Sequence, residues 1–93
     1  MTARLAFAIP SQVLYREVDG QMVLLNLETE QYFGLNEVGA HIVTLLIEQP
    51  FDEALAALTN DFQVDRSVLH RDVENLIGDL VQAGLLMRAD RSG

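Results

Sequence analysis

The 93-residue sequence contains no cysteine and no lysine, and each absence removes a class of chemistry. Without cysteine there is no disulfide framework, no thiolate zinc site and no cysteine nucleophile. Without lysine there is neither a Walker-type phosphate loop nor Schiff-base chemistry. Stability therefore has to come from packing, and a hydrophobic fraction of 49% is enough for one compact core.

Positive charge is also scarce, since six arginines face 14 acidic residues and the net charge is −8. Nucleic-acid binders usually carry a basic face that displaces counterions from phosphates, and no arginine cluster here forms one. The balance predicts no nucleic-acid partner and no anionic membrane partner, and it favours basic ligands.

Long apolar runs are missing too. The apolar stretch that ends at Pro10 is shorter than a secretory hydrophobic region, and no run approaches the length of a membrane span. We therefore predict a cytoplasmic protein.

Catalytic and metal-binding patterns are not found. His41 and His70 fall inside predicted helices, and neither has a partner at a metal-ligand spacing such as i, i+4. Ser11 and Ser67 lack the Gly-x-Ser-x-Gly context of a nucleophile, and Ser92 lies close to the C-terminus. We predict no catalytic residue, no metal site and no cofactor.

Three runs of β-forming residues precede the helical part of the chain. They are residues 13–18, 22–27 and 30–35. Asp19-Gly20 is a hairpin-turn dipeptide, and Glu28-Thr29 separates the second and third runs. The second run is apolar on both faces except at Asn26, which predicts a central strand in an antiparallel meander.

Three helices follow, each predicted from apolar spacing and from cap residues. Asn36 caps the first helix, residues 37–49, which Pro50 ends; Asp52 caps the second, Asp65 caps the third, and Gly84 ends it. The predicted apolar positions are Val38, Ile42, Leu45, Leu46, Leu55, Leu58, Phe62, Leu69, Val73, Leu76, Ile77, Leu80 and Val81. Residues 1–10 are interpreted as a frayed arm or a short first strand, residues 86–88 as a short extended piece, and residues 89–93 as a disordered tail. The whole, residues 1–93, is predicted to be one α+β domain.

The third strand is the first candidate binding feature. In a meander it lies at a sheet edge, and it contains neither proline nor lysine to protect that edge. An unprotected edge is a docking site for an added strand. Its candidate residues are Glu30, Gln31, Tyr32, Phe33, Gly34 and Leu35. Two alternatives stay open: the N-terminal arm covers the edge, or Tyr32 and Phe33 are core aromatics.

The third helix carries the second candidate feature. At 100° per residue, one flank beside Leu76 presents four residues: Val68, Asp72, Asn75 and Asp79. Such a row is suited to form one wall of a groove whose carboxylates attract a basic peptide. The alternative is an ordinary solvated helix face.

Two segments, VLLNLETEQYFGLNEVGAHIVTLL and VLHRDVENLIGDLVQAGLL, resemble the PqqD-like family, and the resemblance spans about residues 12–87. It implies a winged helix-turn-helix-like fold with a three-stranded antiparallel sheet followed by three helices. It also implies that the protein binds the leader segment of a precursor peptide without catalysing a reaction. The leader adds as a strand to the third strand and packs on the third helix. The protein then delivers it to a separate leader peptidase or other maturation enzyme. The strand and its asparagine-led helix look most like the stand-alone members of lasso peptide biosynthesis.

Three other interpretations remain. The resemblance also fits a peptide chaperone that works with a radical SAM enzyme in PQQ biosynthesis. A winged-helix DNA-binding regulator would share the helix order, although the third helix is net negative. A structural subunit would bind no free leader. The exposed edge further allows a homodimer.

Overall fold

The structure, a computed structural model, describes residues 3–89 and 91–92. Three strands form the main antiparallel sheet in the order β3-β4-β5: β3 is Val13–Val18, β4 is Gln21–Asn26 and β5 is Tyr32–Leu35. Three helices follow: α1 (Glu37–Glu48), α2 (Phe51–Phe62) and α3 (Arg66–Gln82). The predicted α+β class, the meander order and the central position of the second run are confirmed.

Short strands join the two ends of the chain. β1 (Ala3–Arg4) pairs with β7 (Arg91–Ser92), and β2 (Phe7–Ala8) pairs with β6 (Met87–Arg88), all antiparallel. The prediction of a short extended piece near residues 86–88 is confirmed. The prediction of a disordered tail is wrong at residues 91–92, because this segment finds a pairing partner at the other end of the chain. Residues 1, 2, 90 and 93 lie outside the described residues.

The first hairpin is as tight as its dipeptide predicts. Asp19 and Gly20 both have positive φ, 54° and 81°, and Val18 pairs directly with Gln21. Positive φ at both central residues is the geometry that matches the right-handed twist of the flanking strands.

The second turn is longer than predicted, so β5 begins at Tyr32 rather than at Glu30. Glu30 has a φ of 62°, which breaks the pleat, and its N–H donates to the carbonyl of Asn26 at 2.7 Å. The Asn26 Oδ1 also accepts from the N–H groups of Glu28 and Thr29, at 2.9 and 3.3 Å. The turn is therefore organised by Asn26, a residue of the preceding strand.

The predicted N-cap residues are confirmed for two of the three helices. Asn36 accepts from the Gly39 N–H at 2.9 Å, and Asp65 accepts from the Ser67 N–H at 2.8 Å. The prediction that Asp52 caps α2 is wrong. This helix begins directly after Pro50, whose carbonyl accepts a hydrogen bond from the Ala54 N–H at 2.9 Å.

The end of α3 follows the Schellman pattern. Gly84 has a φ of 72°, the Leu85 N–H donates to the Leu80 carbonyl at 2.8 Å, and the Gly84 N–H donates to the Val81 carbonyl at 3.0 Å. The fully buried side chain of Leu85 then returns to the core.

The core lies between the helices and one face of the sheet. Its fully buried large side chains are Met22, Leu24, Val43, Leu46, Leu58, Val73, Leu80, Leu85 and Leu86. Two residues of the predicted apolar stripes, Val38 and Val81, are about half exposed and lie outside the core. No helix within residues 3–89 is long and apolar enough to cross a membrane.

Candidate functional site

The edge of β5 has unpaired backbone groups that belong to two residues. The Asn26 N–H donates to the Gln31 carbonyl at 2.8 Å, which makes 26/31 a hydrogen-bonded position in the ladder. Hydrogen-bonded and non-hydrogen-bonded pairs alternate in an antiparallel ladder. In the β4–β5 register, Phe33 and Leu35 therefore bond inward to β4. The N–H and C=O groups of Tyr32 and Gly34 point outward, to the free edge.

The side chains of β5 alternate between the two faces of the sheet. Phe33 is half-buried against the core and Leu35 is buried, whereas Tyr32 is 75% exposed on the opposite face. Because neighbouring strand residues point to opposite sides, Tyr32 and Phe33 belong to two different surfaces. The interpretation of both as core aromatics is therefore wrong for Tyr32 and correct in part for Phe33.

A groove of about 630 Å³ lies where the start of β5 meets the end of α3. Its lining residues are Glu30, Gln31, Tyr32, Phe33, Asp79, Gln82 and Ala83. The two elements that line it are those that the sequence pattern singled out. Edge hydrogen-bonding groups and a side-chain groove thus lie next to each other, which is the geometry that an added peptide strand requires.

Asn26 holds the two walls of this groove together. Its side-chain amide donates to the carbonyls of Ala83 and Gly84, at 3.4 and 3.2 Å, while its Oδ1 organises the turn that leads into β5. It is the buried polar residue of the core, with 3% exposure. Buried amides with satisfied bonds fix the relative position of the elements that they join.

The charge of the groove is negative. Two carboxylates, those of Glu30 and Asp79, contribute to its lining, and no arginine or histidine does. The remaining polar side chains, from Gln31 and Gln82, are neutral donors and acceptors. The groove is therefore suited to a peptide with a basic residue.

Four other predicted residues of α3 do not line the groove. Val68, Asp72 and Asn75 are exposed on the same helix nearer its N-terminus, and Leu76 is partly buried against the core. Of the predicted α3 residues, only Asp79 lines the groove. It is seven residues beyond Asp72, and at about 1.5 Å per residue it lies roughly 10.5 Å further along the helix axis. Sequence reasoning missed Asn26, Gln82 and Ala83; the one available signal was a single asparagine in an otherwise apolar strand.

The N-terminal arm does not cover the β5 edge. In the described residues it pairs with the C-terminal segment through β1–β7 and β2–β6. The other edge of the sheet, β3, carries Arg16 and Glu17 in its middle, and charged residues oppose edge-to-edge pairing. The β5 edge has no charge between Tyr32 and Leu35, so it is the less protected of the two.

The histidines are paired with carboxylates. His41 Nε2 lies 3.0 Å from Asp61 Oδ2, and His70 Nδ1 lies 2.7 Å from Glu74 Oε1. The prediction that neither histidine has a partner at a metal-ligand spacing such as i, i+4 is wrong for His70, because Glu74 lies four residues further on and contacts it. No group of three or more metal-ligating side chains occurs in the part of the chain that the structure describes.

Fold and site together define a small α+β domain with a free strand edge beside its last helix. The chain belongs to the PqqD family: the family described as coenzyme PQQ synthesis protein D matches residues 21–86. That span contains β4, β5 and all three helices. The resemblance inferred from the sequence is confirmed.

Two solved structures are similar to the chain over most of its length. One is described as TbiB1 in complex with the TbiA(beta) leader peptide. It has 35% sequence identity to this chain and a TM-score of 0.78, and the match covers 84% of this chain and 92% of the TbiB1 chain. The other, described as lasso peptide synthetase B1 complexed with the leader peptide, has 27% identity and a TM-score of 0.78, and covers 87% and 96%. A comparison with curated proteins gave no significant match.

Proposed function

We propose that this protein is a non-catalytic recognition domain that binds the leader segment of a ribosomally made precursor peptide and presents it to a separate maturation enzyme. The free edge at Tyr32 and Gly34, next to the groove at the end of α3, carries the proposal. Membership of the PqqD family and the similarity to two proteins solved with leader peptides support it.

The leader adds to β5 as a fourth strand. Tyr32 and Gly34 each offer one N–H and one C=O, so two residues provide up to four main-chain hydrogen bonds. At about 1 kcal/mol net each, these contribute roughly 4 kcal/mol. Sub-micromolar binding requires about 8 kcal/mol. The other half, together with the cost of ordering a flexible leader, has to come from side chains in the groove.

Every second side chain of the bound leader points into the groove, so these side chains determine specificity. A residue that pairs with Phe33 directs its side chain to the inner face, where Phe33 and the last turns of α3 receive it. A lysine or arginine near that position is attracted by Asp79 and Glu30. The exposed residues in the N-terminal half of α3, Val68, Asp72 and Asn75, provide further contacts for a leader that extends beyond the groove.

The role in maturation is positional. Holding the leader raises the effective concentration of the precursor's reactive segment at the enzyme. We assign the enzyme to lasso peptide biosynthesis, as a leader peptidase or another maturation enzyme, because one of the similar solved structures is a lasso peptide synthetase B1. The PQQ pathway with its radical SAM enzyme is the alternative within the family.

The test is a fluorescence-polarisation titration with a labelled leader from a lasso precursor encoded near this gene, alongside a PQQ precursor peptide. Gly34→Pro removes the outward N–H, and Gly34→Ala keeps it. Nothing lies within 4 Å of a Cβ built at Gly34, and its φ is not positive, so alanine fits the strand. Proline is tolerated on an edge strand at a position whose N–H points outward. Proline at Phe33 is unsuitable, because it would break a bond to β4.

We expect Gly34→Pro to weaken leader binding at least tenfold and Gly34→Ala to stay within about threefold of wild type. Equal binding by both variants would exclude strand addition at this edge. If the wild type instead binds duplex DNA tightly and in a salt-dependent way, with no affinity for either peptide, the result would support a winged-helix DNA-binding regulator. The absence of any affinity would support a structural subunit.

A further inference from the structure

A second pocket, of about 420 Å³, lies on the flank of α3 that faces away from the leader groove. Its apolar lining includes Phe7 of β2, Phe51 at the start of α2, and Ile77 and Val81 of α3. At 100° per residue, positions 77 and 81 each lie about 160° around the helix from Asp79. The two sites are therefore separate. Small-molecule sites are typically clefts of about 300–1,000 Å³ with mainly apolar walls, and this pocket falls within that range.

A row of three rings lines one side of the pocket. The buried ring of Phe7 meets Phe51 edge to face, with 6.3 Å between the ring centroids. Phe51 in turn meets the imidazole of His70 edge to face at 5.5 Å. Aromatic side chains favour edge-to-face or offset contact with a further ring. The lining is therefore suited to a flat aromatic group.

His70 is held in a fixed orientation at the rim. Its Nδ1 lies 2.7 Å from Glu74 Oε1, and its ring is nearly perpendicular to that of Phe51, at 86°. A carboxylate only accepts hydrogen bonds, so Nδ1 is the donor to Glu74. In the neutral ring the other nitrogen, Nε2, is then an acceptor. A ligand with an N–H or O–H group can donate to it.

The charge of this pocket differs from that of the leader groove. Glu74 and Arg88 are the two charged residues of its lining, and they are of opposite sign. The leader groove is lined by two carboxylates and by no arginine. In a chain of net charge −8, an anion is therefore repelled less at this pocket. The planar guanidinium of Arg88 matches the geometry of a carboxylate.

Gly78 adds depth to the pocket. It lines the pocket from the interior of α3, where glycine is a less favourable residue than alanine. Nothing lies within 4 Å of a Cβ built at this position, so no packing among the described residues requires a glycine. A longer side chain here would lean back over the preceding turn, towards Glu74, and would fill part of the pocket. The glycine thus keeps the pocket open at some loss of helix stability.

We propose that this pocket binds a small aromatic carboxylate. The ring of the ligand lies against Phe7, Phe51 and Ile77, its carboxylate pairs with Arg88, and an N–H or O–H group donates to Nε2 of His70. Leader recognition uses the opposite flank of α3, so this site is a further binding function of the same domain and does not depend on the leader.

The probe for the test is indole-3-propionate, which combines an aromatic ring, an N–H donor and a carboxylate. It is titrated into the ¹⁵N-labelled protein without leader, and amide chemical shifts are followed by two-dimensional NMR. We expect saturable shifts at Phe51, Gly78 and Val81, and no shifts at Tyr32 and Gly34 of the leader edge. The dissociation constant should be about 1 mM or lower, the range for a ligand of about 14 non-hydrogen atoms.

Two variants test the pocket. Gly78→Leu should weaken binding at least tenfold while folding at least as stably as wild type, because leucine is a better helix former than glycine. Asn60→Leu is the matched control, since it adds the same side chain at an exposed helix position that does not line the pocket, and it should bind like wild type. Thermal melts check the folding of both.

The second variant, Arg88→Gln, remains informative if Gly78→Leu does not fold. It should weaken binding of indole-3-propionate about threefold, within the range for an exposed charge pair, and should leave binding of the neutral indole-3-propanamide unchanged. An equal effect on both ligands would overturn the pairing of the carboxylate with Arg88.

The absence of saturable shifts, or shifts confined to the sheet and the leader groove, would overturn the site. Unchanged binding by a folded Gly78→Leu variant would do the same. Much tighter binding of an acetylated Trp-Asp dipeptide amide than of indole-3-propionate would assign the pocket to side chains of a protein partner instead of a small molecule. Because no leader is present, none of these outcomes bears on leader recognition.

Discussion

The side-chain amide of Asn26 donates to the carbonyl of Gly84 at 3.2 Å, and this contact joins the central strand to the end of the last helix across 58 residues of sequence. Because the turn into β5 is built on the same asparagine, one buried side chain sets the position of the strand edge and of the helix end. The groove between them depends on this contact.

Replacing Asn26 by alanine should therefore reduce stability and leader affinity together. The variant leaves the Glu28 N–H and the Gly84 carbonyl without their partner, and we expect a loss of about 2 kcal/mol in the free energy of unfolding. Urea denaturation measures this loss. The exposed Asn60→Ala on α2 is the control and should stay within about 0.5 kcal/mol of wild type. A stable Asn26→Ala protein with normal leader binding would show that the contact does not shape the groove.

Two glycines of the same helical region should respond in opposite directions to alanine. Gly84 has a φ of 72°, and a Cβ there would lie 2.7 Å from Asn26 Nδ2. Gly84→Ala should therefore destabilise the protein by more than about 1 kcal/mol. Gly78 is inside α3 with open space around its Cβ position, so Gly78→Ala should stabilise by up to about 1 kcal/mol. The midpoints of urea unfolding compare the two; a neutral Gly84→Ala would contradict the geometry.

The carboxylate of Asp79 should contribute charge attraction to a basic leader. Exposed charge pairs are worth about 0.2–1 kcal/mol, so Asp79→Asn should weaken binding by roughly 1.4- to fivefold at low salt. Raising the salt concentration should reduce the difference between the variant and wild type. Fluorescence polarisation at several salt concentrations tests this, with the exposed Glu48→Gln on α1 as the control. A salt-independent difference would point to a packing role instead.

The N-cap of α3 should make stability depend on pH in the acidic range. Hydrogen bonds from the Ser67 hydroxyl, then from the Ser67 and Val68 N–H groups, lower the pKa of Asp65 below its ordinary value of about 3.8. A lowered folded-state pKa gives stability that is present above pH 3.8 and is lost as pH falls through the folded-state pKa. Asp65→Asn keeps a capping oxygen but does not titrate.

Thermal melts of wild type and Asp65→Asn between about pH 2 and 6 follow this contribution, because the other carboxylates titrate in both proteins and cancel. The wild type should be the more stable above pH 4, and its advantage should shrink as pH falls below that value. A constant difference across the range would mean that the Asp65 charge adds nothing to the cap.

Most of the architecture could be predicted from local signals. The Asp19-Gly20 turn, the Asn36 and Asp65 caps and the Gly84 stop each depend on the conformation of a few neighbouring residues, and each was confirmed. The errors came where a distant partner decided the outcome. β5 started two residues late, because Asn26 reorganises the turn before it. Val81 stayed 43% exposed, because it lines an open surface pocket with Leu5 and Arg88 and is not packed into the core.

The sequence by itself determined the order of elements, the family and the excluded chemistry, because turn and cap preferences are local and absent residue types cannot act. Only the tertiary structure decided which groups form the site. Strand register assigns the free N–H and C=O groups to Tyr32 and Gly34, places Phe33 and Tyr32 on opposite faces, and brings Asp79 rather than Asp72 to the groove. These outcomes depend on pairings between residues far apart in the chain, which no local pattern encodes.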